Sequence, residues 1–417
     1  MILKIQALRY RCFQYIAQDM GGFHVLIGPN ASGKTTFLDV VSFLSDLVFE
    51  GPEQAVQKRS PDTRELFWKQ EGSRFQLAIE CGIPEDRRAN VENGGKGFDR
   101  CRYEVEVGLS EQQEISIFSE TLLLKKAEKA IPQQRTLFPS PQEPPRTILS
   151  TRGKRGTKTV VNKVEGGNDN FYDETGKGWD HAFKLGPRKS ALANLPDDES
   201  KFPVATWFKR LLLEGVDTLV LNSQMMRKSS PPGLPKSFRP DGSNLPWVIH
   251  EQYSKNRDQF NEWVTHIRTA LPDVTTIQTI ERPEDRHRYL KLVYKNNLEV
   301  PAWLVSDGTL RMLALTLLAY LPQKTNKIYL IEEPENGIHP RAVETVIQSL
   351  SSIYGSQVLI ATHSPVVLSI VEPANMLCFA KDTDGASDIV RGSEHPALKG
   401  WKGETNLGVL FAGGVLG

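Results

Sequence analysis

A chain of 417 residues with 39% hydrophobic and 24% charged residues has the composition of a globular protein with two or three compact units. Its formal net charge of +1 gives no overall pull toward nucleic acid or acidic surfaces, so any basic contact must come from local clustering. The four cysteines (Cys12, Cys81, Cys101, Cys378) lack metal-ligand spacing, and no apolar run reaches the roughly 18 residues of a membrane span.

The first residues, Met1 to Tyr10, alternate apolar and polar and predict a strand rather than a signal peptide, which needs an uninterrupted apolar core. The expected location is the cytoplasm, with reduced thiols. A second strand is predicted at Phe23 to Ile27. After a Gly-rich turn, a helix starts at about Gly33, with Leu38, Val41 and Leu44 at helical spacing. From about Phe75 to Leu124 the period becomes two. Phe75, Leu77 and Ile79, then Tyr103, Val105 and Val107, then Ile115 and Ile117 predict an antiparallel meander.

Between Lys125 and Glu165 there are ten Lys or Arg against three Glu, together with five prolines. This composition predicts an excursion with little core of its own, continuing into a Gly-rich polar stretch to about Lys189. Beyond Phe202 the pattern reads helix, strand (Thr218 to Leu221), a Pro-broken loop, and a helix from Trp247 to Leu271. A short strand pair follows at Tyr289 to Tyr294 and Leu298 to Trp303. Helix and strand then alternate through Thr309 to Tyr320, Ile328 to Ile331, Pro340 to Tyr354 and Val358 to Ala361, which predicts a parallel sheet covered by helices.

Gly28-Pro29-Asn30-Ala31-Ser32-Gly33-Lys34-Thr35-Thr36 lies between the strand and the helix that a phosphate-binding loop needs. The glycines let the backbone curl so that N–H groups point at phosphate oxygens, and the helix N-terminus adds positive potential. Lys34 can reach the β- and γ-phosphates, and the Thr35 hydroxyl can ligate Mg²⁺. The apolar strand Ile328 to Ile331 ends in Glu332 and Glu333, where ligands of α/β sheets bind. Ser306, Asp307 and Gly308 precede a helix and form a second anion site. A single chain rarely needs two γ-phosphate cradles, whereas two chains facing each other do. His363 follows the strand ending at Ala361, a position suited to sensing the γ-phosphate and the attacking water.

The order of P-loop, Ser306-Asp-Gly-Thr, Ile331-Glu-Glu-Pro-Glu-Asn-Gly-Ile-His-Pro and Ala361-Thr-His-Ser-Pro resembles the ABC-type ATPases. More narrowly, it resembles the AAA_15/AAA_21 group, which is related to the OLD nucleases and to RecF- and SMC-type heads. The motifs occupy about 1–50 and 300–370. The resemblance implies ATP and Mg²⁺ as cofactors, a homodimer or higher homo-oligomer, and ATP hydrolysis between head-to-tail subunits. The implied fold is α/β, an ABC-type P-loop NTPase with a mostly parallel core sheet, an antiparallel β subdomain and a helical subdomain.

The matching domains are 1–225 with an insertion at about 125–190, 226–300, and 301–417 with a docking tail. Residue by residue, the resemblance implies that Lys34 and Thr35 hold phosphate and metal. Ser306 and Gly308 touch the γ-phosphate of the opposite subunit, and Glu332 is the metal-side carboxylate. Glu333 is the general base and His363 the switch histidine. Glu335, Asn336 and Gly337 belong to a loop that crosses the dimer interface, and Gln224 is the candidate glutamine coupling metal to the helical region. Two positions depart from the usual pattern: Glu332 stands where Asp is common, and Asp307 replaces the first Gly of the signature.

Three functional classes remain open. One is a sensor or regulator in a prokaryotic antiphage module. The roughly fifty residues after His363 are too few for a Toprim nuclease domain, so the effector, a nuclease or a toxin, is expected on a separate protein. In that case the apolar, Gly-rich tail from Leu407 either docks the effector or packs on its own sheet. Another is a DNA repair or maintenance ATPase whose basic segment, including Lys154 and Arg155, binds DNA directly. The last is a nucleotide-gated scaffold with little turnover.

Overall fold

The computed structural model describes residues 1–91, 97–127, 135–151, 153, 156–176, 180–322, 327–398 and 407–414. The chain divides into two compact units. One comprises Met1–Val216, Pro373–Trp401 and Leu416–Gly417, and the other Asp217–Glu372 and Lys402–Val415.

The first unit is built on an antiparallel sheet of eight strands in the order β2-β1-β4-β5-β6-β7-β8-β9. Its first strands are β1 (Ile2–Tyr10), β2 (Phe13–Asp19), β4 (Arg74–Gly82), β5 (Arg100–Leu109) and β6 (Ile115–Lys125). The remaining three are β7 (Thr157–Val164), β8 (Asp169–Phe171) and β9 (His181–Phe183). Strand β3 (Phe23–Ile27) stands apart and pairs in parallel with Met376–Lys381, which pairs antiparallel with Ser387–Arg391.

The helix Lys34–Glu50 that follows β3 buries Phe37, Val40, Val41, Phe43, Leu44, Leu47 and Val48, the i, i+3, i+4 stripe of a helix lying on a core. Phe43 packs against Tyr10 and Phe75 with ring centroids 5.9 and 5.4 Å away, and Tyr10 meets Phe75 at 4.9 Å. These aromatic contacts seat the helix and fix the direction in which its N-terminus points.

The basic stretch is only in part an excursion: residues 135–151 form no helix or strand, but from Thr157 the chain rejoins the sheet. Residues 157–183 supply three strands of the sheet, with Val160, Val161 and Phe171 fully buried. Here composition masked the pattern, because some cations of this stretch are neutralised inside the fold. Lys163 Nζ lies 2.5 Å from Asp169 Oδ1, both side chains buried, and Arg135 makes contacts of 2.6–2.7 Å with both oxygens of Asp388. The segment 147–150 lies over the sheet, its Ile148 and Ser150 N–H groups bonded to the side chains of Gln76 and Glu104. Lys154 and Arg155 lie outside the described residues.

In the second unit, Ile328–Glu332 and Gln357–Ala361 are parallel neighbours in register Glu332 to Ala361. The predicted Trp247 helix is two helices, Leu245–Lys255 and Arg257–Ala270, broken at Asn256 (φ −134°, ψ 57°). Val274–Glu281, Arg288–Tyr294 and Glu299–Pro301 form a three-stranded antiparallel sheet. Trp263 Nε1 donates to Thr316 Oγ1 at 3.0 Å, tying Arg257–Ala270 to the helix Asp307–Leu317. The tail residues Leu407–Ala412 form a short helix packed on Pro365–Leu368, with Leu407 buried. Among the described residues, no helix is long and apolar enough to cross a membrane.

Candidate functional site

The first unit carries the glycine loop. After Ile27 the backbone passes through positive φ at Gly28 (148°), Ala31 (60°) and Gly33 (108°). A Cβ on Gly28 would lie 2.3 Å from the Phe379 carbonyl oxygen, and one on Gly33 would lie 2.9 Å from Cys12 Sγ. Both positions are therefore closed to any other residue. The helix Lys34–Glu50 begins with no side-chain cap and no acid in its first turn, so its own side chains leave its positive end uncompensated.

Lys34 is buried, and its Nζ donates to the carbonyls of Gly28 (2.7 Å) and Pro29 (2.9 Å), holding the ammonium over the loop. Among the described residues the buried Ser32 hydroxyl has no partner, nor has that of Ser387, which lies 3.1 Å from where a Gly33 Cβ would be. Asn30 and Thr35 are exposed. A glycine-walled turn with a lysine ammonium and a buried hydroxyl that has no partner among the described residues fits a polyphosphate.

The second unit carries the acids and the histidine. Glu332 ends its strand exposed. Glu333 then takes the left-handed conformation (φ 45°) while its N–H still donates to the Ala361 carbonyl at 2.8 Å. A non-glycine residue in this region is strained, and the turn redirects the Glu333 side chain relative to that of Glu332. Glu333 Oε1 lies 2.7 Å from His363 Nδ1, and the Glu333 carboxyl also meets that of Glu335.

Glu335 Oε1 accepts from the Thr362 hydroxyl, whose oxygen also accepts from Ser364 N at 2.9 Å. Burial pushes the Glu335 carboxyl up to about 7. The Thr362 hydrogen bond opposes this, and the Glu333 carboxylate adds to the rise.

Ser306 caps the helix Asp307–Leu317, its Oγ accepting from Thr309 N at 3.2 Å. Asp307 sits in the first turn, where a negative charge is favoured, and pairs with Arg227 Nη2 at 2.7 Å. Arg227 also donates to the Val305 carbonyl at 2.8 Å, so one guanidinium holds both sides of Ser306. Here the aspartate is a structural part of the turn. A Cβ on Gly308 would stand 1.9 Å from the Gly337 carbonyl oxygen, so the helix start and the loop after the paired acids touch backbone to backbone.

The structure thus brings Glu333 and His363 together and places Ser306, Asp307 and Gly308 at one helix N-terminus beside Gly337. Gln224 is exposed on the short helix Ser223–Arg227 and makes no side-chain hydrogen bond among the described residues. Sequence reasoning did not single out Arg227, the Glu335–Thr362 bond or the Gly308–Gly337 contact. No spacing rule links residues 80 positions apart, as Arg227 and Asp307 are.

A family model, AAA_21, described as "AAA domain, putative AbiEii toxin, Type IV TA system", matches residues 23–369. The Old nuclease of Escherichia phage P2 is 36% identical over 89 residues, a match that covers 19% of this chain and only 15% of that protein. Among solved structures, the SmcHead bound to the C-winged helix domain of ScpA aligns with a TM-score of 0.52 at 13% identity. That alignment covers 93% of this chain and 96% of that one, a likeness of fold. The family match runs from β3 through the glycine loop and the signature turn to the acid–histidine cluster: the chain belongs to the AAA_21 family of P-loop ATPases.

Proposed function

We propose that the protein binds and hydrolyses ATP with Mg²⁺ between two copies arranged head to tail. We further propose that it is the sensor or regulatory subunit of a prokaryotic antiphage defence module whose effector, a Toprim-like nuclease or a toxin, is a separate protein. The observation that carries the hydrolytic part is the Glu333–His363 pair, Glu333 Oε1 lying 2.7 Å from His363 Nδ1.

In this reading Lys34 and the loop N–H groups hold the phosphates, and Thr35 and Glu332 serve the metal. Mg²⁺, when bound, neutralises charge on the phosphoryl oxygens. Glu333 takes the proton of the attacking water, and His363 orients that carboxylate through Nδ1. Ser306 and Gly308 present a helix N-terminus to the nucleotide of the second copy. The biological setting draws its support from the family description, which names a toxin of a toxin–antitoxin system, and from the phage nuclease among the relatives. The DNA-maintenance reading loses some of its basis, because Arg135 and Lys163 of the basic stretch are already paired with Asp388 and Asp169.

Turnover and nucleotide binding of Lys34→Ala and Glu333→Gln test the chemistry. Lys34→Ala should lose nucleotide binding. Glu333→Gln should bind ATP with turnover lower by about 10²- to 10⁴-fold, the worth of a positioned base. Full turnover by Glu333→Gln would remove Glu333 from this role. A pull-down from native cells with Glu333→Gln, Mg²⁺ and ATP then tests the setting. A stoichiometric protein partner supports the sensor reading, and DNA alone refutes it.

A further inference from the structure

Cys81 and Cys101 are 20 residues apart in sequence yet directly opposite each other on β4 and β5. Ile83 N–H donates to the Asp99 carbonyl at 3.0 Å, and two residues along the same register Cys81 faces Cys101, which makes this a hydrogen-bonded pair of the ladder. Opposite residues of an antiparallel pair point to the same face with Cβ atoms about 4.5–5.5 Å apart, so a disulfide, whose Cβ atoms stand about 3.5–4.5 Å apart, requires the two strands to draw together by about 1 Å. The two thiols face each other closely enough for each to act on the other's acidity. Both thiols are free, and both residues are fully buried.

We propose that Cys81 and Cys101 are a redox couple that closes to an intramolecular disulfide in the folded protein when a small oxidant of the peroxide class reaches it. The two sulfurs are not equivalent. The hydrogen bond from Cys101 holds the Cys81 thiol below its ordinary value; burial opposes this, and the N-terminal ammonium assists. That ammonium belongs to the residue next to Ile2, which faces Cys81 across the sheet, and Gly82 N–H bonds the Met1 carbonyl at 3.1 Å. Burial pushes the Cys101 thiol well up, so it stays protonated.

Cys81 is therefore the attacking sulfur and Cys101 the resolving one. The Cys81 thiolate attacks one oxygen of hydrogen peroxide, the O–O bond breaks, and a sulfenic acid forms as hydroxide leaves. Cys101 sulfur then attacks Cys81 sulfur and the S–O bond breaks. The Cys101 proton leaves with the departing oxygen as water. Two thiols and one peroxide give one disulfide and two waters. Because neither sulfur is exposed, bulky thiol reagents should act on this pair far more slowly than peroxide does.

The test uses the folded full-length protein, treated with hydrogen peroxide, quenched, unfolded and alkylated, then read by intact mass and peptide mapping. The expected result is a Cys81–Cys101 linked peptide, two fewer alkylated cysteines, and a mass lower by about 2 Da before alkylation, restored by a dithiol reductant. In Cys101→Ser the link should vanish and Cys81 should be trapped as its sulfenic acid by a dimedone probe. Complete alkylation of both cysteines in the wild type would overturn the proposal. So would a link that forms only in urea, or one joining Cys81 to Cys12 or Cys378. The wild-type measurement decides the matter even if the serine variant fails to fold.

Discussion

Gly308→Ala opposes two effects of known size. Gly308 lies in the first turn of a helix, where alanine adds roughly 0.5–1 kcal/mol by restricting the unfolded chain. The added methyl, however, would stand 1.9 Å from the Gly337 carbonyl oxygen and 2.8 Å from its carbon. It falls about 1.5 Å short of ordinary contact. The obstructing atoms are backbone, so no rotamer change relieves them; the Glu335–Gly337 loop must retreat or the helix must shift. Overpacking of this kind costs about 1–3 kcal/mol and exceeds the helical gain.

The net expectation is a loss of about 1–2 kcal/mol, or a melting temperature lower by roughly 2–8 °C for a unit of this size. Turnover should fall further, because the displaced loop carries Glu335 and adjoins Glu333. Gly337→Ala is the comparison. Its φ of 74° is strained for alanine, but nothing lies within 4 Å of the new methyl, so only the backbone cost of about 1–2 kcal/mol should appear. Thermal unfolding and ATP turnover of both variants read the outcome. If Gly308→Ala is as stable and as active as the wild type, the helix and the loop do not press on each other, and the reasoning fails.

Glu335 keeps its proton to about 7 when folded, against 4.5 for the ordinary group. The folded state therefore binds more protons between these values. The contribution of Glu335 to stability is complete below the lower value and is lost as pH rises through the upper one. Glu335→Gln should flatten the decline in melting temperature from about pH 5 to pH 8; an undiminished decline would refute this. Glu174, pushed up to about 7 by burial while it accepts from Val204 N and Ala205 N, adds a decline of the same sign in the first unit, removable by Glu174→Gln. Arg59→Met should cost about 3 kcal/mol in denaturant melts, because a nearly buried guanidinium bonded to both Asp39 and Asp46 is lost and those carboxylates stay behind. Arg227→Ala should lower stability by about 1 kcal/mol or less, since its ion pair with Asp307 is partly exposed, yet reduce turnover by loosening both sides of Ser306.

Much of the fold is legible in local sequence patterns. The strand, glycine turn and helix around Lys34 follow from spacing alone, and so does the apolar strand ending in Glu332. The meander from Phe75 to Ile117 follows from its period of two. Strand β2 was missed, because Phe13 to Asp19 buries only Phe13 and Ile16, too few for a clear alternation. The basic stretch misled for a different reason. Composition records Lys163 and Arg135 as charges but not that Asp169 and Asp388 neutralise them, so it hides the strands that begin at Thr157. The break at Asn256 was also hidden, since apolar residues keep helical spacing across it.

The sequence by itself determined the chemistry on offer: a phosphate loop, paired carboxylates, a histidine after a strand, and a serine at a helix start. Each of these depends on residues within a few positions of one another, and local backbone geometry follows from such neighbours. Only the tertiary structure decided which groups meet. The Glu333–His363 contact spans 30 residues, the Gly308–Gly337 contact 29, and the Cys81–Cys101 contact 20. Such pairs form because the burial of apolar strands and helices sets the register of distant segments, a sum over many weak contacts that no single motif encodes.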